Sequence, residues 1–284
     1  MAQFDTAQVR RYYDRHTSEF MSIGQGGHLG AIHRAVWGPG TRSRAAAFRY
    51  VEDQIATHLV QLADRDGLIN PHVIDLGCGI GSSLCVLAER LDIRGTGVTI
   101  SSVQTRLAQQ RLADLGRSDR IQCIEADFNE LPDDCDGADL AYAIESFVHG
   151  PDPERFLNQC ARTIRPGGLL IICDDFRRPV TDSTAARTVD RFCRGWHVNS
   201  LLQPSELRTL ASTAGFDHDS TVDLTEYLEL GRPRDKAIAL FVGLCGWIPT
   251  VANRFDHLVG GSALQTCLSR QWIGYELVVF RRLG

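Results

Sequence analysis

Two residues late in an apolar run have types and a spacing that could do chemistry. Glu145 and His149 lie four residues apart, directly after the run 138–144. A carboxylate at the end of a buried strand can act as a general base, as a counter-charge to a cation or, together with the imidazole, as a metal ligand. The alternative is structural, with Glu145 holding a cofactor or capping the next turn. Both interpretations stay open at this point.

A second group of residues is typical of a site for a polar ligand. Gly77, Gly79 and Gly81 stand at alternate positions after the short apolar run 73–76, and Ser82 and Ser83 are candidate N-caps for the helix that follows. Glycines let the backbone come close to a ligand, and the free N–H groups of a helix start attract electron-rich atoms. A dinucleotide fingerprint does not fit, because the third glycine falls one residue early.

The segments that must position these groups alternate between strand and helix. Apolar runs predict strands at 72–77, 94–100, 120–127, 138–146, 168–176, near 219–225 and at 275–282. Helices are predicted at 1–23, 43–64, 83–91, 102–115, 152–165 and 203–214, with an apolar helical segment at 237–258. The alternation predicts an α/β fold with a mostly parallel sheet covered on both faces. We divide the chain into an N-terminal helical lid (1–65), a core (66–176) and a remainder with the last strands and a cap insertion (177–284).

The N-terminal helix has an aromatic face. Tyr12 and Tyr13 recur with other apolar residues at helical spacing, and a glycine-rich stretch at 24–27 could serve as a hinge. Such tyrosines most often only pack, but a lid over a site, donated by a neighbouring subunit, is an equally concrete hypothesis. We therefore expect a homo-oligomer.

Composition excludes several classes of protein. The net charge is −5 and no lysine–arginine tract occurs, so nucleic acid is not an expected partner. No apolar run approaches the ~18 residues of a membrane span, and the N-terminus is too polar for a secretory signal. The nine cysteines include no C-x-x-C pair, so neither a metal site nor a disulfide framework is predicted. These features favour a cytoplasmic protein.

The D-x-G-x-G-x-G spacing at 75–81 resembles motif I of class I S-adenosylmethionine (SAM) methyltransferases, which implies their Rossmann-like fold with seven strands. The segment 97–104, Gly-Val-Thr-Ile-Ser-Ser-Val-Gln, resembles sterol and cyclopropane-fatty-acid C-methyltransferases. Carried over residue by residue, the resemblance implies nine cofactor-binding residues: Asp75, Gly77, Cys78, Gly79, Thr99, Ile100, Gln104, Asp127 and Phe128. The first four would surround the methionine part of SAM. The others would flank its ribose and adenine, with Gln104 replacing the usual ribose-binding acid.

Shorter segments at 26–28, 33–37, 145–149, 173–176 and 231–234 resemble bacterial terpenoid C-methyltransferases of the teleocidin and prenyl diphosphate type. This resemblance implies a small hydrophobic, prenylated substrate in secondary metabolism, methylated at an alkene carbon through a carbocation. Aromatic candidates for the cation pocket are Tyr13, Trp37, Phe147, Trp196 and Tyr227. Candidate bases are Glu145, His149 and His197. The catalytic set that we predict is Glu145, His149, Tyr13 and Trp196.

Three alternatives remain. If the substrate carries a diphosphate, Arg42, Arg44, Arg232, Arg234 and Lys236 could neutralise it, with Mg²⁺ as a cofactor in that case only. The enzyme could instead methylate oxygen or nitrogen of a small natural product, with His149 as the base. A protein that binds SAM without catalysis is the third possibility. The N/D-P-P-Y signature of nucleic-acid amino-methyltransferases is missing after the strand that ends near residue 145.

Overall fold

A computed structural model describes residues 4–23, 33–180, 182–245 and 255–284. Its centre is a seven-stranded sheet of order β3-β2-β1-β4-β5-β7-β6. The strands are β1 (His72–Leu76), β2 (Arg94–Thr99), β3 (Ile121–Glu125), β4 (Ala138–Ile144), β5 (Ile164–Arg177), β6 (Phe216–Asp223) and β7 (Ile273–Arg282). Strand β7 is antiparallel to both of its neighbours, and the other pairs are parallel. The predicted Rossmann-like fold with a mostly parallel sheet is confirmed.

Nine α-helices occur within the described residues. They are α1 (Thr6–Ile23), α2 (Arg44–Asp66), α3 (Ser82–Arg90), α4 (Ser102–Asp114), α5 (Pro153–Thr163), α6 (Ser183–Gly195), α7 (Pro204–Thr213), α8 (Pro233–Cys245) and α9 (Asp256–Ser269). Polar N-caps fix several starts: Ser43, Ser101 and Asp152 each accept a hydrogen bond from a backbone N–H of the first helical turn. None of these helices is long and apolar enough to cross a bilayer.

The ends of β1 and β4 define where a ligand can enter. These strands are neighbours, and the chain leaves them toward opposite edges of the sheet, which is the topological switch point of an open α/β fold. Every residue of β1 is buried, as expected for a parallel strand with helices on both faces. The rigid sheet thus holds the segments after β1 and β4 side by side at one edge.

Two predicted elements differ from the structure, and a third cannot be compared with it. Strand β5 begins at Ile164 instead of 168, because the pairing with β4 continues across an irregularity at the glycine pair, where Gly167 has φ +79°. The single helical segment predicted at 237–258 is replaced by α8 and α9, since Asp256 begins a new helix. The glycine-rich stretch at 24–27 and the segment 26–28 lie outside the described residues.

Candidate active site

The glycine turn after β1 is held open by its backbone geometry. Gly77, Gly79 and Gly81 all have positive φ angles, of +94°, +52° and +72°. A Cβ on Gly77 would lie 2.3 Å from the Cβ of Ser146, so only glycine allows the turn to pass under the end of β4. The N–H groups of Gly77 and Cys78 both donate to the carbonyl of Val98, at 2.8 and 2.9 Å, which fixes the turn against β2.

The start of α3 is open to a ligand. Gly81 is its N-cap and supplies no side-chain hydrogen bond, so the prediction that Ser82 and Ser83 are N-caps is wrong. They are the first helical residues instead, and α3 begins there because Gly81 adopts the left-handed conformation. The Ser83 hydroxyl is buried in the cavity wall without a hydrogen-bond partner, and so is the Oδ1 atom of Asn129 across the cavity. Orphaned polar atoms beside a free helix N-terminus fit a polar cofactor such as SAM.

These atoms line one cavity of about 940 Å³ at the carboxyl ends of β1 and β4. All thirteen residues that the sequence predicted for the catalytic and cofactor sites line it: Asp75, Gly77, Cys78, Gly79, Thr99, Ile100, Gln104, Asp127, Phe128, Glu145, His149, Tyr13 and Trp196. The structure therefore brings the predicted set together, while the role of each residue stays a prediction.

Helix α1 closes the cofactor side of this cavity. Arg10 donates to the carbonyl of Ile100 at 2.6 Å, and the Thr6 hydroxyl donates to Asp127 at 3.2 Å. The amide of Gln104 donates to Thr17 at 3.2 Å. The lid hypothesis thus gains a specific geometry, in which α1 of the same chain is hydrogen-bonded to residues predicted to flank ribose and adenine.

Asp75 is buried at the end of β1, where the Tyr142 hydroxyl donates to its Oδ2 atom at 3.0 Å. Burial raises the pKa of Asp75 to about 7, although the hydrogen bond from Tyr142 acts in the opposite direction. The end of β2 differs from the end of β1, because its last residue is Thr99 and not an acid. The Thr99 hydroxyl donates to the side-chain oxygen of Gln104 at 2.8 Å.

Glu145 forms the centre of a buried ion network that the sequence did not predict. Its Oε1 atom accepts from the backbone N–H and the Nε–H of Arg34, at 2.8 and 3.0 Å, and from the Tyr275 hydroxyl at 3.0 Å. Arg34 also makes a bidentate pair with Asp175, at 2.9 and 3.0 Å, and its guanidinium lies 4.1 Å from the centre of the Tyr275 ring. Glu145 has φ +50°, an unusual value for a residue with a side chain and one that is typical of functional sites.

The network corrects the expected ionisation of Glu145. An aromatic, partly dry pocket predicts a raised pKa, but the pKa of Glu145 is lowered. Burial alone would raise it, whereas the charges of Arg34 and His33 outweigh burial. His33 is itself a cation near neutral pH: burial opposes its charge, but the Glu52 carboxylate 3.0 Å away raises the pKa of His33 to about 9. Glu145 is therefore a fixed anion rather than a carboxyl poised to exchange a proton.

His149 has the opposite character. Its Nδ1 atom lies 3.2 Å from the carbonyl oxygen of His197, so Nδ1 carries the proton and Nε2 holds the lone pair. Burial is the main cause that lowers the pKa of His149 to about 4. The ring of Tyr13 meets the imidazole edge-on, with centroids 5.4 Å apart. His197, the third candidate base, contributes its backbone carbonyl to this arrangement, and its ring packs against Phe4 and Tyr12 instead.

Sequence reasoning did not assign a role to three ionisable residues of the cavity wall. Arg34 and Asp175 belong to the network around Glu145, and Asp174 is a buried carboxyl that accepts from the Val148 N–H at 3.2 Å. Burial and the neighbouring Asp175 raise the pKa of Asp174 well above its usual value. The signal was available, since two acids stand at the end of a buried strand in the quoted segment 173–176.

Two of the five aromatic candidates, Tyr13 and Trp196, line the cavity. The other three do not: Trp37 lies at the surface, Phe147 is in the core against Phe156, and Tyr227 is partly buried against the hydrophobic core. Other aromatic residues take their place in the wall, namely Tyr12, Phe128, Phe192, Phe241 and Phe255. Spacing alone could not identify Phe192, Phe241 and Phe255, because α6, α8 and the start of α9 come together only in the folded cap.

Two of the five predicted diphosphate-binding cations are engaged in ion pairs. Arg44 pairs with Glu229 at 2.6 Å, and Arg232 pairs with Asp235 at 3.0 Å. Arg234 lines the cavity, whereas Arg42 and Lys236 are exposed at the surface. The described cavity wall therefore contains at least as many acids as cations.

The fold and the cavity define a class of protein: an open α/β sheet with a ligand-sized cavity at the carboxyl ends of β1 and β4. Comparison with known proteins gives the family. Residues 74–172 match the model of a methyltransferase domain. The chain is 32% identical over 231 residues to the O-methyltransferase cnsE of Penicillium expansum, and the match covers 80% of this chain and 78% of that protein. The chain therefore belongs to the SAM-dependent methyltransferases.

Two further proteins extend the comparison. The methyltransferase GfsG of Streptomyces halstedii is 34% identical over 166 residues, which cover 58% of this chain and 59% of GfsG. The solved structure of geranyl diphosphate C-methyltransferase from Streptomyces coelicolor A3(2) superposes with a TM-score of 0.68 at 16% identity, over the full length of both chains. At this identity the structural likeness supports the fold only.

Proposed function

We propose that this methyltransferase transfers the SAM methyl group to an alkene carbon of an apolar, prenylated or terpenoid substrate that carries no free diphosphate. One observation carries the proposal. The cavity next to the glycine turn continues into an aromatic and aliphatic chamber between α1, α6, α8 and α9. A substrate that fills it must bury mainly apolar surface.

When bound, SAM supplies an electrophilic methyl group on a sulfonium. The chain's own residues then meet the needs of an alkene nucleophile. Tyr13 and Trp196 face the cavity, and aromatic faces stabilise positive charge without trapping it by nucleophilic attack. Arg34 keeps Glu145 ionised, so that a fixed negative charge stands beside the substrate where the carbocation forms.

His149 is suited to the last step, the removal of a proton next to the cationic carbon. That C–H is strongly acidic, so a neutral imidazole with a pKa of about 4 can accept its proton. The same imidazole is a poorer match for an alcohol or phenol, which holds its proton far more tightly. The Nδ1 contact to the His197 carbonyl fixes Nε2 as the accepting atom.

The ion pairs of two of the five candidate cations support a substrate without a diphosphate, although Arg234 lines the cavity. Arg44 and Arg232 are engaged by Glu229 and Asp235, and binding a diphosphate there would require both ion pairs to break. Geranyl diphosphate and Mg²⁺ occur in the structurally similar C-methyltransferase of Streptomyces coelicolor A3(2), so the diphosphate alternative has a specific precedent.

A second candidate function is O-methylation of a hydroxylated natural product. The relative cnsE, which matches most of this chain, is named an O-methyltransferase. In this case His149 would take the proton of the hydroxyl group, and Glu145 would only orient neighbouring groups.

The test is a product analysis with labelled SAM. The purified full-length protein is offered prenylated indoles, their hydroxylated analogues and prenyl diphosphates, and the products are identified by mass spectrometry and NMR. Label on a carbon of the prenyl chain supports the proposal. Label on oxygen only, or turnover of diphosphates only, contradicts it.

Two variants separate the roles of the acid and the imidazole. For Glu145→Gln and His149→Gln we expect turnover to fall by ~10²–10⁴ with SAM affinity nearly unchanged. His218→Gln, at an exposed position on β6, is the control and should keep wild-type turnover. Wild-type rates in both cavity variants would place the chemistry on other residues.

A further inference from the structure

Three side chains from two helices converge beside the cap in a way that the methyltransferase reaction does not use. They are His16 of α1 and the adjacent residues Asp256 and His257 at the start of α9. Each offers one imidazole nitrogen or carboxylate oxygen, and these three atoms all lie within 4.8 Å of one another. No other group of three such residues is found among the described parts of the chain.

The atoms that are available fit a metal ion. The Nδ1 atom of His257 is buried and makes no hydrogen bond, which is rare for a polar atom inside a protein, and it lies 3.6 Å from Oδ1 of Asp256. The Oδ1 atom of Asp256 accepts a hydrogen bond from the backbone N–H of His257 at 2.7 Å. The Oδ2 atom of Asp256 is then the oxygen available to bind a metal ion. The imidazole rings of His16 and His257 lie with centroids 5.1 Å apart.

The donor set selects the class of ion. Two imidazoles and one carboxylate suit Zn²⁺ and its neighbours among the first-row divalent metals, whereas Mg²⁺ and Ca²⁺ prefer all-oxygen sites. Ligands about 2.1 Å from one tetrahedral ion lie ~3.4 Å apart. The three atoms lie within 4.8 Å of one another, so binding needs them to approach by up to ~1.4 Å, which changes of rotamer within the cluster can provide.

We propose that His16, Asp256 and His257 bind a divalent transition-metal ion of the zinc class, which fastens α1 to α9 and keeps the lid closed over the substrate chamber. His257 lines the chamber, and the Trp196 indole N–H donates to the His257 carbonyl at 3.0 Å. Three protein ligands leave at least one coordination position for water or for an oxygen of a substrate.

The consequence is a lid whose closure depends on metal. The hydrogen bonds of α1 described above join it to the cofactor side of the cavity, at Ile100, Gln104 and Asp127. The metal site would anchor the same helix on its other side, to the cap. When the hydrogen bonds and the metal site both hold α1 in place, the cavity is closed to water on the side of Tyr12 and Tyr13.

The experiment measures metal binding by the full-length protein, dialysed free of metal and then equilibrated with Zn²⁺, Co²⁺ or Mg²⁺. We expect one equivalent of Zn²⁺ or Co²⁺ per chain and no comparable uptake of Mg²⁺. Bound Co²⁺ should give visible bands without the intense near-ultraviolet absorption that cysteine ligands produce. Removing an outer hydrogen-bond partner of a metal ligand lowers affinity ~10–100-fold. We therefore expect His16→Gln and Asp256→Asn, which remove a ligand, to weaken binding by at least ~100-fold.

A second readout tests the fastening itself. Arg11 and Arg15 are exposed tryptic sites in α1, and Zn²⁺ should slow cleavage there in the wild type but not in His16→Gln. His218→Gln is the control and should behave like the wild type, and circular dichroism verifies the fold of each variant. Equal binding by all variants would mark the metal as adventitious and overturn the proposal, as would no binding by the wild type. Metal binding without protection of α1 would overturn the lid role.

Discussion

The replacement of Arg34 by methionine would test how the active-site anion is held. Arg34 donates hydrogen bonds to both Glu145 and Asp175, and its side chain is about 15% exposed. Methionine keeps most of the side-chain volume and removes the charge. The two carboxylates, 17% and 2% exposed, then stay in the cavity wall without their guanidinium.

The size of the effect follows from that burial. Breaking a buried ion pair by removing one partner costs ~3–5 kcal/mol, because the other charge remains desolvated. Here one cation serves two acids and also stacks on Tyr275, so we expect the upper part of that range at pH 8. An exposed pair loses at most ~1 kcal/mol, and Arg90→Met, which breaks the surface pair with Asp53, is the matched control.

The dependence on pH has a definite sign. In the wild type the pKa of Glu145 is lowered, so its contribution to stability is present above the unfolded pKa of ~4.3 and is lost as the pH falls through the folded pKa. In Arg34→Met, the charge of His33 still opposes the burial of Glu145 but that of Arg34 no longer does, and we expect the folded pKa values of both acids to lie above the unfolded ones. The variant therefore loses stability as the pH rises above ~4, and its deficit relative to the wild type grows between pH 5 and pH 8.

Denaturant unfolding at both pH values, followed by tryptophan fluorescence, measures this deficit. The double variant Arg34→Met/Asp175→Asn should recover part of the loss, because it removes one of the stranded charges. A deficit below ~1 kcal/mol at pH 8, or one that does not change with pH, would refute the view that Arg34 neutralises buried anions. Stability of the double variant below that of Arg34→Met would refute it as well.

Two further predictions concern the cofactor side of the cavity. Gly79→Val places a β-branched residue at φ +52° in the glycine turn, so calorimetry should find that SAM affinity falls more than ~10-fold. The control Gly116→Val, at φ +61° with no neighbour within 4 Å, should bind SAM normally. Equal SAM affinities of the two variants would refute the assignment of the glycine turn to SAM. Deletion of residues 1–20 should abolish most turnover and also weaken SAM binding, because α1 contacts Ile100, Gln104 and Asp127. The control is Arg11→Ala, at an exposed position of the same helix. Unchanged activity of the deletion variant would show that α1 only packs.

Much of the core could be predicted because its signals are local. Apolar runs of four to seven residues mark buried parallel strands, and positive φ angles at alternate glycines leave a direct trace in the sequence. The nine predicted cofactor residues lie within a few positions of the ends of β1 to β3, so a correct strand assignment was sufficient to bring them to one edge.

The charge state of the site could not be predicted in the same way. The pKa of Glu145 depends on Arg34, which stands 111 positions earlier in the chain, and no local pattern shows that the two meet. The aromatic wall has the same difficulty: Trp37 and Trp196 look equivalent in sequence, but only the second is carried to the cavity, by the end of α6. Contacts between distant elements of the cap are fixed by packing, which leaves no periodic signal.

These long-range contacts bring two parts of the N-terminal region, residues 4–23 and 33–34, to the cavity. Helix α1 covers the cofactor side, and the segment after it carries His33 and Arg34, which hold Glu145 as an anion. If Glu145 must be ionised when positive charge forms on the substrate, then an enzyme with this segment displaced has both an open cavity and a carboxylate without its cation. Closure would thus exclude water and set the electrostatics of the site in one movement. The isolated core, without this segment, should keep the glycine turn and still lack the charged network that the chemistry requires.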